Sequence, residues 1–133
     1  MEACRITITT NADGVENQMS RDGEMEFSID GATLRYREEN AFIFICLKGE
    51  NAQIQREGDY SLRLNLKSGE TCEGEIGIGG QNGGVETFTR KIKSSISKDT
   101  LLLLLDYDLI ISGEKQEMKL RLISKFKGVQ YES

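Results

Sequence analysis

Apolar and polar residues alternate with a period of two along almost the whole chain, and turn residues interrupt this alternation at short intervals. A period of two is the repeat of a β-strand that has one buried face and one solvated face. Helical periodicity is hard to find, and the absence of proline leaves long strands permitted. Short connections join antiparallel neighbours. The sequence therefore predicts an all-β antiparallel fold of eight to ten strands, and we favour a closed barrel over a sandwich.

Asp30 and Gly31 form a dipeptide that is typical of the two-residue type I′ hairpin turn. With these two residues as the loop, three apolar pairs fall on one face and polar residues fall on the other. A slip of one residue would turn every apolar side chain to the polar face, so the turn and the alternation agree on one register. The predicted pairs are Ile29 with Ala32, Phe27 with Leu34, and Met25 with Tyr36.

Ser112-Gly113 is a second two-residue turn of the same kind. The strand that follows it carries charged residues on the predicted outer face, which discourages pairing with other chains. These outer residues are Lys115, Glu117, Lys119 and Arg121. The turn pairs Ile111 with Glu114, Tyr107 with Met118, Leu105 with Leu120, and Leu103 with Leu122.

Lys67-Ser68-Gly69 predicts a third hairpin, with a three-residue loop and Gly69 in the left-handed conformation. A two-residue loop would oppose Leu64 to Glu73. The longer loop pairs Leu64 with Cys72 and Tyr60 with Ile76, so we prefer it.

The remaining segments complete the barrel in a single domain that spans residues 1–133. The glycine-rich stretch Gly79–Gly84 predicts a flexible loop, and Gly49-Glu50-Asn51 predicts a turn. Residues 127–133 predict a C-terminal tail. The other predicted strands are Arg5–Thr10, Ala41–Lys48, Ala52–Arg56 and Val85–Ile96.

The chain has no histidine, which removes the imidazole base, the Ser-His or Cys-His pair and the histidine metal ligand from consideration. Cys4, Cys46 and Cys72 are far apart, and none has the spacing of a metal site. We therefore predict no metal, no cofactor and no catalytic residue, with reduced thiols. The sequence contains nothing like a signal peptide and no apolar run long enough to span a bilayer, so we expect a cytoplasmic protein without a membrane partner.

Charge is spread unevenly along the chain, whose net charge is −5. Residues 1–89 carry 8 Lys and Arg against 16 Asp and Glu, whereas residues 90–127 carry 9 against 5. The acidic total disfavours general nucleic-acid binding. The basic segment, which includes Arg90, Lys91 and Lys93, leaves a local contact with an anionic partner open.

Three short strings, in this order and spacing, resemble the DUF1934 or YwiB-like family of uncharacterised bacterial proteins. They are Tyr36-Arg37-Glu38-Glu39, Arg56-Glu57-Gly58 and Tyr107-Asp108-Leu109. The resemblance covers almost the whole chain and implies a calycin-like, lipocalin-like closed barrel in the bacterial cytoplasm, with no assigned activity. The family tends to carry a Tyr/Thr/Gly turn motif before the strand that begins here at Val85. This chain has Gly79–Gly84 in its place.

Several polar side chains share the inward parity of the predicted strands. Glu38 and Arg56 are the charged members. Burying a charge inside a barrel costs free energy unless the charge is paired or solvated. We therefore predict that they either form an ion pair or lie at a solvated mouth of the barrel. The full set of candidate ligand-binding residues is Tyr36, Glu38, Arg56, Tyr60 and Tyr107. Asp106 and Asp108 share the outer face, where solvated surface is a better interpretation than a cation site.

Three functions fit these observations. The leading hypothesis is a non-enzymatic binding module that holds a small molecule in the barrel or contacts a protein partner, including a second copy of itself. The second is a weak enzyme that uses Glu38 as acid or base and Arg56 as charge stabiliser. The third is an assembly or RNA-associated role through the basic face of residues 90–127.

Overall fold

A computed structural model describes residues 1–128, and these residues fold into one closed barrel of ten antiparallel strands. Each strand pairs with the next along the chain, and the last strand closes the barrel against the first. The predicted all-β closed barrel is confirmed. The strands are β1 (Glu2–Ala12), β2 (Val15–Ser28), β3 (Gly31–Glu38), β4 (Ala41–Lys48), β5 (Asn51–Gly58), β6 (Tyr60–Lys67), β7 (Thr71–Ile78), β8 (Gln81–Ser97), β9 (Thr100–Ile111) and β10 (Glu114–Phe126).

The predicted hairpin at Ser112-Gly113 is confirmed in turn and register. Ser112 has a φ of 53° and Gly113 a φ of 80°, the paired left-handed conformations of a type I′ turn. Tyr107 lies opposite Met118, and every other predicted pair of this hairpin is also present. Asp13 and Gly14 form the same turn between β1 and β2, a hairpin that the sequence reasoning missed.

The predicted register of the β2–β3 hairpin is wrong. The two loop residues are Ile29 and Asp30, one position earlier than predicted, and Ile29 is fully exposed instead of facing Ala32. Gly31 begins β3 without a left-handed φ. Position 31 needs glycine for a different reason, because a Cβ there would lie 1.8 Å from the carbonyl oxygen of Leu47. The observed pairs are Ser28 with Gly31, Phe27 with Ala32, and Met25 with Leu34.

The error shifts the partners by two residues, so the side chains that remain within β2 and β3 keep their predicted faces. Met25 and Leu34 are buried in the barrel, as expected. A shift by one residue would have turned them into solvent.

The β6–β7 hairpin has its left-handed Gly69, with a φ of 78°, but the predicted pairs are wrong. Leu62 lies opposite Ile76, and the ladder ends at Arg63 and Glu75. Beyond that point side-chain hydrogen bonds join β6 to β7 and β6 to β8. Asn65 Nδ2 donates to the Glu73 carbonyl over 2.8 Å, and Thr87 Oγ1 donates to the Asn65 carbonyl over 2.6 Å.

Two predicted loops are shorter than expected. Only Gly79 and Gly80 form the turn after β7, and residues 81–84 are already part of β8 instead of a flexible loop. Asn51 pairs with Lys48, so the turn after β4 contains two residues and not three. In both cases the ladder continues up to the residues that can adopt the turn conformation.

A β-bulge at Arg90 divides β8. Thr89 lies opposite Tyr107 and Lys91 lies opposite Asp106, so Arg90 has no partner in the ladder. The extra residue switches the inward parity of β8 from odd to even numbers. Thr89, which precedes the bulge, therefore faces the core, and after the bulge Ile92 faces it.

The barrel interior is aliphatic over most of its length. Leu34 and Leu64 are buried as predicted, while Leu120 is partly buried against the same cluster. Phe27 and Phe126 pack edge to face, with ring centroids 5.0 Å apart. Much of the predicted tail, residues 129–133, lies outside the described residues. No helix in residues 1–128 is long and apolar enough to cross a membrane.

Candidate functional site

The five predicted site residues point toward one end of the barrel, but they differ in burial. Tyr36 and Tyr107 are buried, whereas Glu38 and Arg56 are half-buried. Tyr60 is 36% exposed, at the start of β6. This end therefore changes from a dry interior at the two buried phenols to a wet rim at the charged groups.

Arg56 does not form an ion pair with Glu38, so the first of the two predicted alternatives is wrong. Its guanidinium lies 2.7 Å from an Asp59 carboxylate oxygen and donates to the Tyr60 carbonyl over 2.7 Å. The same guanidinium stacks on the Tyr60 ring, 3.7 Å from its centroid. The hydrogen bond from Arg56 lowers the pKa of the Asp59 carboxyl. Arg56, Asp59 and Tyr60 thus form a structural clamp around the β5–β6 turn, which leaves Glu38 at the solvated mouth.

The pKa of Tyr36 depends on the charged groups that surround the two buried phenols. Burial raises its pKa, the nearby Glu38 carboxylate raises it further, and the Arg21 guanidinium opposes both. Tyr107 contributes a smaller upward effect from the facing wall of the barrel. Burial also raises the pKa of Tyr107 to about 12. We call Arg21, Tyr36, Glu38 and Tyr107 the rim cluster.

Arg21 is the member that sequence reasoning missed. It shares the inward parity of Met19 and Met25, and that parity was the signal that could have revealed it. Arg21 is half-buried, and its Nη1 donates to the Ser20 carbonyl over 2.9 Å. In the described part of the chain no carboxylate lies within ion-pair distance of Arg21, so most of its five N–H donors stay available.

The pairing between β2 and β3 stops beside the rim cluster, and we call this place the gap in the β2–β3 wall. The β2–β3 ladder ends at the pair Gly23 and Tyr36, so residues 15–22 of β2 continue without β3. A Cβ at Gly23 would lie 2.4 Å from the Arg35 carbonyl oxygen and 2.8 Å from the Ile6 side chain. Glycine is therefore required at the place where β2 departs from β3, next to Tyr36 and Arg21.

The outer face next to Tyr107 carries a built ion cluster in place of the solvated surface that the sequence suggested. Arg90 donates to Asp106 over 2.7 Å and to Asp108 over 2.5 Å. These two bonds raise the pKa of Arg90. Asp108 is buried to 7% exposure. The bulge residue thus supplies the cation that the two outward carboxylates share, and in residues 1–128 no group of three His, Cys, Asp or Glu side chains could hold a metal.

Grooves on the outer surface have other linings. One of about 480 Å³ crosses β2, β3 and β4 and includes Tyr36 and the half-exposed Phe42. Arg37 stacks on Phe42 there, 5.4 Å from the ring centroid. Another groove of about 510 Å³ lies over β8, β9 and β10 and is largely apolar, with Leu102 and Ile123 in its floor.

A family model described as a domain of unknown function, DUF1934, matches residues 4–122 of this ten-stranded barrel. The chain belongs to the DUF1934 family. The resemblance that the three sequence strings indicated is therefore confirmed. The family description names no activity, so membership leaves the role of the rim cluster open.

A solved structure described as the crystal structure of ywiB protein from Bacillus subtilis is similar to this DUF1934 chain. The TM-score is 0.82, and the match covers 96% of this chain and 93% of that one. Sequence identity is 12%, so the likeness shows the fold alone. No curated protein matches the sequence.

Proposed function

We propose that this DUF1934 chain is a non-enzymatic binding module whose rim cluster holds a small anionic molecule. The observation that carries the proposal is Arg21, a half-buried arginine with donors to spare beside the gap in the β2–β3 wall. A guanidinium presents its donors as a planar fork that fits a carboxylate or a phosphate. As part of the proposal, we place the protein in the cytoplasm.

The neighbours of Arg21 favour a ligand with one charged end and an apolar body. Tyr36 and Tyr107 offer phenol hydroxyls at the floor of the mouth, and the side chains below them are aliphatic. Glu38 repels a second negative charge and favours a ligand that also carries a donor. This arrangement supports a lipocalin-like mode of binding, in which the open end of a barrel takes a small molecule.

The structure gives the enzyme alternative less support. That hypothesis used Arg56 to stabilise charge next to Glu38, whereas the donors of Arg56 go to Asp59 and Tyr60. A group already committed to a salt bridge and a backbone carbonyl is poorly placed to follow charge that develops on a substrate.

The test is a titration of the full chain with three probes, namely benzoate, phenyl phosphate and anilinonaphthalene sulfonate, followed by amide NMR. We expect at least one probe to give saturable shifts centred on Gly23, Tyr36 and Glu38. Arg21→Met should weaken that probe's binding about tenfold or more, because a charge-assisted hydrogen bond is lost.

Arg63→Met is the matched control. Arg63 pairs with Glu75 over 3.0 Å on the outer face of the barrel, so its removal should leave affinity unchanged. The proposal is wrong if none of the three probes saturates, or if Arg21→Met and Arg63→Met bind equally well.

A further inference from the structure

The C-terminal half of β8, residues 91–97, has one free edge. Residues 91–97 pair with β9 on one side, while β7 ends its pairing with β8 at Phe88 and the turn after β6 contacts Thr89. Among residues 1–128 no strand pairs with the other side of this segment. Backbone N–H and C=O groups of alternate residues point sideways from this edge in the plane of the sheet, which makes the segment a template for a further strand.

The two isoleucines of the exposed segment are placed symmetrically about its central residue, Ser94. The segment reads Lys91-Ile92-Lys93-Ser94-Ser95-Ile96-Ser97. If two copies pair antiparallel about Ser94, Ile92 of each copy lies opposite Ile96 of the other. Each lysine then faces a serine across the pair.

Neighbouring registers that keep the inner faces together are worse. Pairing about Lys93 would place that lysine directly opposite its own copy, and like charges in direct opposition destabilise a sheet. Pairing about Ser95 would place Ile96 opposite Ser94 and lose the apolar contact. The side chains therefore select one antiparallel register.

Burial indicates which residues gain from such a pair. Ile96 has the inward parity of β8 and yet is 41% exposed, because nothing covers the strand on its free side. Ile92 packs partly against the core. Covering both with the same residues of another copy removes apolar surface from water, which favours association.

We propose that this protein forms a symmetric dimer in which residues 91–97 of two copies pair antiparallel about Ser94 and join two barrels into one continuous sheet. The proposal is independent of the rim cluster, which lies at the opposite end of the barrel. A contact of one strand with one strand is small, so the dimer is a weak one whose population rises with concentration.

Salt distinguishes this dimer from binding of an acidic partner. Lys93 of each copy lies diagonal to Lys93 of the other, roughly 7–8 Å away in such a ladder. Lys91 and Lys93 are two residues apart on the outer face of β8, and Lys93 lowers the pKa of the Lys91 ammonium. Screening these like charges strengthens the dimer as ionic strength rises, whereas an acidic peptide or nucleic acid would dissociate from the same lysines.

The first experiment is sedimentation velocity of the full chain at increasing concentration up to about 1 mM, at low and high salt. We expect a monomer–dimer equilibrium that shifts toward dimer with salt. Ile96→Lys should raise the dimer dissociation constant about tenfold or more. Ile123→Lys is the matched control, because Ile123 is 44% exposed on the outer face of β10, two strands from the free edge of β8.

A second experiment tests the register. Ser94 lies on the two-fold axis, so Ser94→Cys should form a disulfide-linked dimer under mild oxidation, and Ser97→Cys should not. The wild type with Cys4, Cys46 and Cys72 gives the background. A chain that stays monomeric at about 1 mM, a dimer broken by Ile123→Lys and not Ile96→Lys, or equal cross-linking of both cysteine variants would overturn the proposal.

Discussion

Arg90 Nη1 donates to Asp108 Oδ1 over 2.5 Å, from the bulge in β8 to the neighbouring strand β9. The bulge frees Arg90 from the ladder, and the carboxylate it reaches is largely buried, with 10% of its side chain exposed. One irregular residue thus neutralises a charge that the barrel would otherwise bury alone.

Replacing Arg90 with Met should therefore destabilise the fold by about 2–3 kcal/mol, because Asp108 loses its only described cation. The figure is below that of a fully buried pair, since the Arg90 side chain is about one-third exposed. Urea unfolding measures the change. Arg63→Met, which breaks an exposed pair with Glu75, should cost less than about 1 kcal/mol. Equal losses in the two variants would show that burial of Asp108 has no special cost.

Tyr107 predicts a loss of stability in alkali. Its folded pKa is about 12, raised by burial, while an unfolded tyrosine titrates near 10. The contribution of the neutral phenol is therefore complete below about pH 10 and is lost as pH rises toward 12, to a total of about 2–3 kcal/mol. Unfolding free energies from pH 9 to 12 should fall more steeply in the wild type than in Tyr107→Phe. Parallel curves would contradict this assignment.

Gly31 and Gly84 should respond in opposite ways to alanine. A Cβ at Gly31 would lie 1.8 Å from a backbone oxygen of Leu47, which cannot move without disturbing β4, so Gly31→Ala should cost about 3 kcal/mol or more. Gly84 has no heavy atom within 4 Å of the added Cβ and no left-handed φ. Gly84→Ala should be neutral or stabilise the fold by up to about 1 kcal/mol. Thermal unfolding of both variants decides the matter.

Thr89 and Thr87 allow a test of buried hydroxyls at adjacent inward positions of β8. Thr89 Oγ1 is buried without a hydrogen-bond partner, so Thr89→Val should stabilise the fold by about 1 kcal/mol. Thr87 Oγ1 donates to the Asn65 carbonyl, so Thr87→Val should destabilise it by a similar amount. A stability loss in Thr89→Val would indicate that its hydroxyl has a partner in solution.

The sequence by itself determined that the chain is built of strands, and it determined the face of most side chains wherever the alternation is unbroken. Alternation of period two is a local property, and a strand turns Met25 inward or Lys119 outward whichever neighbour it pairs with. The turn at Ser112-Gly113 could also be predicted with its register, because two adjacent left-handed residues admit one hairpin geometry. The candidate residues Tyr36 and Tyr107 were identified in the same way.

Only the tertiary structure decided the partners. Gly31 looked like a turn glycine, but the approach of Leu47 from another strand requires it, and no local pattern contains that contact. One of the two predicted alternatives paired Arg56 with Glu38, whereas the β5–β6 turn places Asp59 and Tyr60 against Arg56. The gap beside Arg21 and the free edge of residues 91–97 both follow from how far neighbouring strands extend around the closed barrel. The offset between neighbouring strands is a property of the whole sheet, because each ladder ends where its partner strand turns away.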